Sequence, residues 1–148
     1  MAETFIDGLS RVLINDKTTT FGRLAGETQI IEVSVTAAAN AGVTTVATVT
    51  TQPCLIKSAV IHADAGQTAD MTSCALEGGG SQVVEFIGSG SAIQASLSAA
   101  DEQVSWTGAV RLAATRTITI DLQGTGATAV DLTVIIEYAA CADGGYLV

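Results

Sequence analysis

The side chains best suited to chemistry in this sequence are His62, Asp64 and Asp70, which lie within nine residues of one another. A catalytic site needs a nucleophile with a base, paired carboxylates, a metal cluster or a cofactor cradle. His62 is the single histidine. As a general base it would need a Ser or Cys brought to it by the fold, and no Gly-x-Ser-x-Gly elbow is present. A half-buried strand histidine is the simpler reading. Asp64 and Asp70 lack the Asp-x-Asp-x-Asp-Gly spacing of a calcium loop, and zinc would want further His or Cys ligands. A weak calcium site near them is the most that the pattern allows. Asp residues in turns more commonly bond the backbone.

The remaining candidates are weaker. Cys54, Cys74 and Cys141 form no Cys-x-x-Cys pair and have no neighbouring His in sequence, so they read as small buried hydrophobes and not as nucleophiles or a disulfide. Gly78–Gly80 and Gly88-Ser89-Gly90-Ser91 lack the Lys-Ser/Thr and the helix of a phosphate cradle, and are expected to be turn glycines. Asp101 and Glu102 are adjacent, so on a strand they face opposite ways and cannot flank one glycosidic bond. Trp106, Tyr138 and Tyr146 are too few for a sugar-stacking platform, and Trp106 reads as core. No catalytic, cofactor-binding or metal-binding residues are assigned.

The elements that would position these residues are strands. Asp131–Tyr138 alternates Leu132, Val134, Ile136 and Tyr138 with Asp131, Thr133, Ile135 and Glu137, the period-two pattern of a strand with one buried face. Arg116–Leu122 repeats it with Ile118, Ile120 and Leu122. With Gly124-Thr125-Gly126 between them, the two are expected to form a hairpin. Gln29–Thr36, Val43–Thr50 and Leu55–Ala63 read as further strands. Met71–Glu77 and Gln82–Ile87 are expected to form a second hairpin about Gly78–Gly80, and Val104–Trp106 and Ala109–Leu112 are shorter candidates. Helix signals are confined to Ala92–Asp101 and Thr36–Ala41, a turn each. Eight or nine strands at this spacing predict an all-β, antiparallel β-sandwich, jelly-roll-like.

Composition narrows the function classes. The chain has 148 residues, the length of one domain. Charged residues are 14% of it, against about 25% in an ordinary soluble domain. The uncharged window Val33–Ile56 is interrupted by many Thr, Ser and Asn residues and by Pro53, so no membrane span is expected. The N-terminus shows no basic-then-apolar signal pattern, which predicts synthesis in the cytosol. Net charge is −9, and all of it falls after residue 23. An acidic body of this kind repels phosphate backbones, so direct nucleic-acid binding is not expected.

Residues 1–25 stand apart as an N-terminal extended arm, with the sandwich over 26–148. The arm is electrically neutral and carries two of the three Phe residues. Phe5, Ile6, Leu9, Arg11, Phe21 and Arg23 are the candidate partner-binding residues, because aromatic and Arg side chains are the usual anchors of protein contacts. In the competing reading the arm supplies the first strands of the sandwich, since Arg11–Asn15 and Thr19–Leu24 can each extend.

The stretch Leu55–Ile87, with its Ala-Gly-Gln-Thr-Ala-Asp turn, Met71-Thr72-Ser73-Cys74-Ala75-Leu76 and triple glycine, resembles the β-sandwich head decoration (cement) proteins of tailed bacteriophages. Thr117–Tyr138 looks like the closing hairpin of such virion proteins. The resemblance is one of texture over residues 29–139 and carries no invariant motif. It implies a non-enzymatic structural protein of the virion that binds and stabilises the capsid surface, with the major capsid protein as partner and self-association as a homotrimer. No residue-level site comes with it. The competing expectation is a carbohydrate- or receptor-binding module of a phage head or tail fibre, using the sandwich loops. A third is a β-sandwich enzyme built from scattered carboxylates.

Overall fold

The computed structural model describes residues 25–66, 70–79, 83–92 and 94–148, together with the backbone of residues 3–6 and 12–15. Its strands are β1 (Glu3–Ile6), β2 (Val12–Asn15), β3 (Thr28–Ala38), β4 (Gly42–Thr50), β5 (Cys54–Ala63), β6 (Met71–Gly79), β7 (Val83–Ala92), β8 (Gln103–Leu112), β9 (Thr117–Gly124), β10 (Ala129–Ala140) and β11 (Tyr146–Leu147), with a single 3-10 turn at Gln94–Ser96. None of the described helical residues forms a helix long and apolar enough to cross a membrane.

The order of pairing follows from one long antiparallel hairpin rolled up on itself. β3 pairs with β10, β4 with β9, β5 with β8, and β6 with β7. Rolling then brings β10 beside β5 and β9 beside β6, which closes two sheets of order β3-β10-β5-β8 and β11-β4-β9-β6-β7. Every pairing is antiparallel, and eight strands nested in this way are a jelly roll. The expected fold class is therefore the observed one.

The core lies between the two sheets and is laid down by the alternation in the sequence. Ile118, Ile120 and Leu122 of β9 face Leu132, Val134 and Ile136 of β10, all six fully buried. Each such side chain contributes about 1.5–3 kcal/mol by leaving water. Met71, Leu76 and Ile56 fill the same layer. The side of the sandwich at β7 and β8 is closed by Phe86 and Trp106, whose rings meet edge to face with centroids 4.9 Å apart.

Several expectations are corrected. β9 and β10 do not form a hairpin but lie in opposite sheets. Their connection arches over the end of the sandwich, where the Thr125 amide donates to the Asp70 carbonyl at 2.8 Å and the Ala39 amide to the Thr128 carbonyl at 2.9 Å. Gly124 is needed there, because a Cβ would sit 2.4 Å from the Asp70 carbonyl oxygen. The hairpin about Gly78–Gly80 is present as β6 and β7. Gly88 and Gly90, expected in a turn, instead lie inside the edge strand β7. The two short candidates around Trp106 merge into the single strand β8, whose register against β5 slips between Ile56 and Ser58. Thr36–Ala38 ends β3 and forms no helical turn.

The two leading strands pair antiparallel with each other, Glu3 opposite Asn15 and Ile6 opposite Val12. Among the described strands they form a sheet of their own and join neither layer of the sandwich.

Candidate functional site

Of the arm residues singled out above, Phe5 and Ile6 fall in β1. Leu9, Arg11, Phe21 and Arg23 lie outside the described residues. The continuous described stretch that leads into β3 begins at Ala25, whose amide donates to Asp143 Oδ1 at 2.8 Å, and the Gly26 amide donates to the Ala140 carbonyl at 2.8 Å. The chain thus enters the sandwich beside the start of β3.

His62 projects from the outer face of the β5 sheet, with Nδ1 3.1 Å from Asp64 Oδ1 and Nε2 3.7 Å from Asp101 Oδ1. The other oxygen of Asp64 accepts the Thr133 hydroxyl at 2.7 Å. Asp70 accepts instead from the Thr128 hydroxyl, and a Cβ on Gly126 would sit 2.6 Å from its Oδ2. Asp64 and Asp70 thus each accept a threonine hydroxyl from β10 or the residue before it, in place of the backbone bonds that the sequence led one to expect. Among the described residues no three His, Cys, Asp or Glu side chains converge to hold a metal ion. Glu102 is a local cap: its Oε2 accepts the Ala99 amide at 2.9 Å and the Ser98 hydroxyl at 3.3 Å. The Ala99 amide foremost, and Ser98 after it, hold the Glu102 carboxyl below the usual carboxylate range.

None of the three cysteines forms a disulfide; Cys54 and Cys74 are buried and Cys141 is exposed. Burial, with Asp121 adding to it, pushes the Cys74 thiol up to about 12, so it stays protonated at neutral pH and is a poor nucleophile. The expectation of buried, inert thiols holds for two of the three.

What the fold presents outward is surface. On the face of the β3-β10-β5-β8 sheet, Ile135 lies between Val60 and Glu32, and Ile30, which is 67% exposed, lies opposite Glu137. The other sheet carries a shallow cavity of about 260 Å³, floored by Gly79, Thr117 and Thr119 and walled by Val43, Val83 and Glu77. Val43 and Val83 are 67% and 61% exposed. Glu77 stands directly across from Glu85, and Asp121 lies one strand over, opposite Val43. None of β4, β6, β7, β9 and β11 contains a Lys, Arg or His. The nearest basic residue along the chain is exposed Arg116, in the turn before β9. Sequence reading missed this groove. Its one signal was the glycine run after Glu77, which leaves room where side chains would otherwise stand.

No family model matches the chain, and no curated protein matches it. Solved structures do. A chain of the cyanophage Pam1 capsid asymmetric unit superposes with a TM-score of 0.54 at 13% identity, over 78% of this chain and 86% of that one. A chain of the acid-stable capsid of Helicobacter pylori bacteriophage KHP30 superposes with a TM-score of 0.51 at 8% identity, over 81% of this chain and 98% of that one. The jelly-roll sandwich described here is the fold that this chain shares with chains of two phage capsids.

Proposed function

We propose that this chain is a non-enzymatic structural protein of a bacteriophage virion, a decoration or cement protein that binds the capsid surface and stabilises it. The observation that supports this best is the extent of the structural likeness. The shared sandwich makes up 86% and 98% of the two capsid chains, so each of those chains is itself about one such sandwich. The low charge content and the broad exposed sheet faces agree with a protein that is covered by other proteins in its working state.

In this reading the major capsid protein is the partner and the chain acts as a symmetric oligomer, with a homotrimer as the form the family resemblance implies. Residues 1–25 are the docking arm, with Phe5, Ile6, Leu9, Arg11, Phe21 and Arg23 as its anchors. The test is co-sedimentation with empty heads of its own phage, comparing the full chain with one that starts at Gly26. The full chain is expected to pellet with the heads. The shortened chain is expected to keep its β-type circular dichroism and lose the heads. A shortened chain that unfolds would place the arm in the core. Glycan binding by a full chain that ignores heads would favour a receptor-binding module and overturn the proposal.

A further inference from the structure

We infer that β3 is a docking edge for β3 of a second copy of this chain, the two strands pairing antiparallel about Ile30 so that two four-stranded sheets join into one of eight. The inference rests on the reading above that the chain self-associates, and it names a two-fold contact.

The sandwich leaves one long edge unguarded. Natural sheets blunt their edges with bulges, charges or a covering strand. Here β8 slips register against β5, β7 slips twice against β6, and β4 slips against β9 and is partly covered by β11. Among the described residues β3 has none of these devices. Its eleven residues run against β10 in one unbroken register and carry a single charge, Glu32. The Ala39 amide donates to the Thr128 carbonyl at 2.9 Å, and bonded pairs recur at every second residue along an antiparallel ladder. The odd-numbered residues of β3 therefore bond β10, while Thr28, Ile30, Glu32, Ser34 and Thr36 direct their amides and carbonyls away from the sheet. The core is unsealed on the same side. Ile31 and Val33 are only partly buried, whereas Ile136 and Val134 opposite them are fully buried.

Charge selects the occupant and the register. Only residues whose backbone groups point outward meet in bonded pairs, so the alignments of β3 on its own copy differ by steps of two residues. With Glu32 opposite Glu32, like charges face each other; one step either way leaves them diagonal neighbours, about 7–8 Å apart. A second step separates them, and it can be taken in two directions. Toward the end of β3, Glu32 meets Thr36, whose hydroxyl donates to the Asp131 carboxylate at 3.4 Å. Toward its start, Glu32 meets Thr28, whose hydroxyl accepts from Lys57 Nζ at 2.6 Å. The latter alignment sets a carboxylate beside an ammonium on both sides of the axis. It also lays Ile30, 67% exposed, against Ile30 of the second copy. The Glu137 carboxylates, across from Ile30 within each sheet, then stand three strand spacings apart, about 14 Å. Acid and base lie two residues either side of Ile30, the symmetric placing that a two-fold axis requires. A contact made by the same patch on both copies closes on itself and yields pairs, not fibres.

The test uses the full chain with Cys141→Ser, to remove the exposed thiol, together with Ile30→Cys. In this register the two new cysteines face each other with Cα atoms about 5.5 Å apart, within disulfide range. Oxidation with diamide is expected to give a linked dimer on a non-reducing denaturing gel. Glu32→Cys and Ser34→Cys, exposed on the same edge, are expected to link far less. Linking at either position as complete as at Ile30→Cys would overturn the register and with it the inference. No linked Ile30→Cys dimer, in a protein whose wild type sediments as an oligomer, would overturn the contact while leaving self-association standing. A wild-type chain that sediments as a monomer would overturn both. In parallel, Glu32→Lys is expected to weaken self-association about tenfold, and adding Lys57→Glu to recover most of it. Glu32 is exposed, so Glu32→Lys remains informative if Lys57→Glu folds poorly. An unaltered association constant for Glu32→Lys would overturn the pairing.

Discussion

Gly78 offers a sharp test of how the sandwich is closed. It lies in β6 between Val84 and Ile118 of the neighbouring strands and faces the core. A Cβ placed on it would sit 2.5 Å from Phe86 Cε2, 2.8 Å from Cζ and 3.2 Å from Leu112 Cδ1. Carbon atoms at ease lie about 3.5–4.0 Å apart, so the ring must retreat by roughly 1 Å. It has little space in which to do so, because Phe86 is 5% exposed and its far side is set against Trp106.

Overpacking of this kind costs about 1–3 kcal/mol. Removing a strand glycine returns about 0.5–1 kcal/mol through the unfolded chain. Gly78→Ala is therefore expected to lose about 1–2 kcal/mol net, or roughly 3–8 °C of melting temperature for a domain of this size. In urea the midpoint should fall with its slope unchanged. Gly90→Ala is the control: that glycine lies in the edge strand β7, and nothing stands within 4 Å of its Cβ position. It should be neutral or slightly stabilising. Trp106 is the only tryptophan, so a displaced Phe86 ring should also change the emission of the Gly78→Ala protein. Pairing Gly78→Ala with Phe86→Leu should cost less than the two single changes added together, because the smaller side chain makes room. Equal melting of the Gly78→Ala and Gly90→Ala proteins would refute the packing argument.

Further outcomes follow from the same geometry. A thiol reagent at pH 8 should modify one cysteine of the native chain, Cys141, and all three after unfolding, since Cys54 and Cys74 are buried and the Cys74 thiol is held protonated. Rapid labelling of more than one native thiol would contradict the burial. The folded chain favours ionised Glu102, so the stability that this group contributes is present above the unfolded carboxyl value and is lost as pH falls through the lower folded one. The margin of wild type over Glu102→Gln should accordingly be full near neutrality and vanish in strong acid, as measured by melting across that range. Leu97 is fully buried just after the 3-10 turn. Leu97→Ala should cost about 2–5 kcal/mol in denaturant titration, whereas Ala100→Ser, at an exposed position outside the Glu102 cap, should cost little.

Alternation made the strands legible, and it could not make the layers so. The inward faces of β9 and β10 are those that the sequence pattern marks, from Ile118 to Leu122 and from Leu132 to Tyr138. The pattern says that these residues meet a core but not from which side. A short glycine-bearing connection can reverse within one sheet or arch to the other, and the choice was made by backbone bonds from Thr125 to Asp70 and from Ala39 to Thr128. Those partners lie more than 50 residues away, beyond any local signal. The glycines of β7 misled for a related reason. Glycine marks conformational freedom, yet at an edge strand it can also mark a surface left open. Asp64 and Asp70 read in sequence as turn carboxylates, and the threonines that bond them, Thr133 and Thr128, lie more than 50 residues further on, where no local pattern points. The groove was hidden because it consists of missing side chains, at Gly79, between residues from β4, β6, β7 and β9 that no linear pattern brings together.

The nested pairing has a consequence for how the molecule comes into being. β3, the first strand of the sandwich, finds its partner only in β10, with Thr28 opposite Ala139. During synthesis the innermost pair, β6 with β7, can close early, and each later strand then zips onto one made before it. The leading edge stays unsatisfied until β10, Ala129–Ala140, has left the ribosome. At about 5–20 residues per second, that wait lasts several seconds, during which an apolar edge lies open. Final closure joins β3 to β10, far apart in sequence, and topologies with such distant contacts fold in milliseconds to seconds. The sparse charge of the chain, 14% of its residues, therefore carries its greatest hazard before the fold is complete.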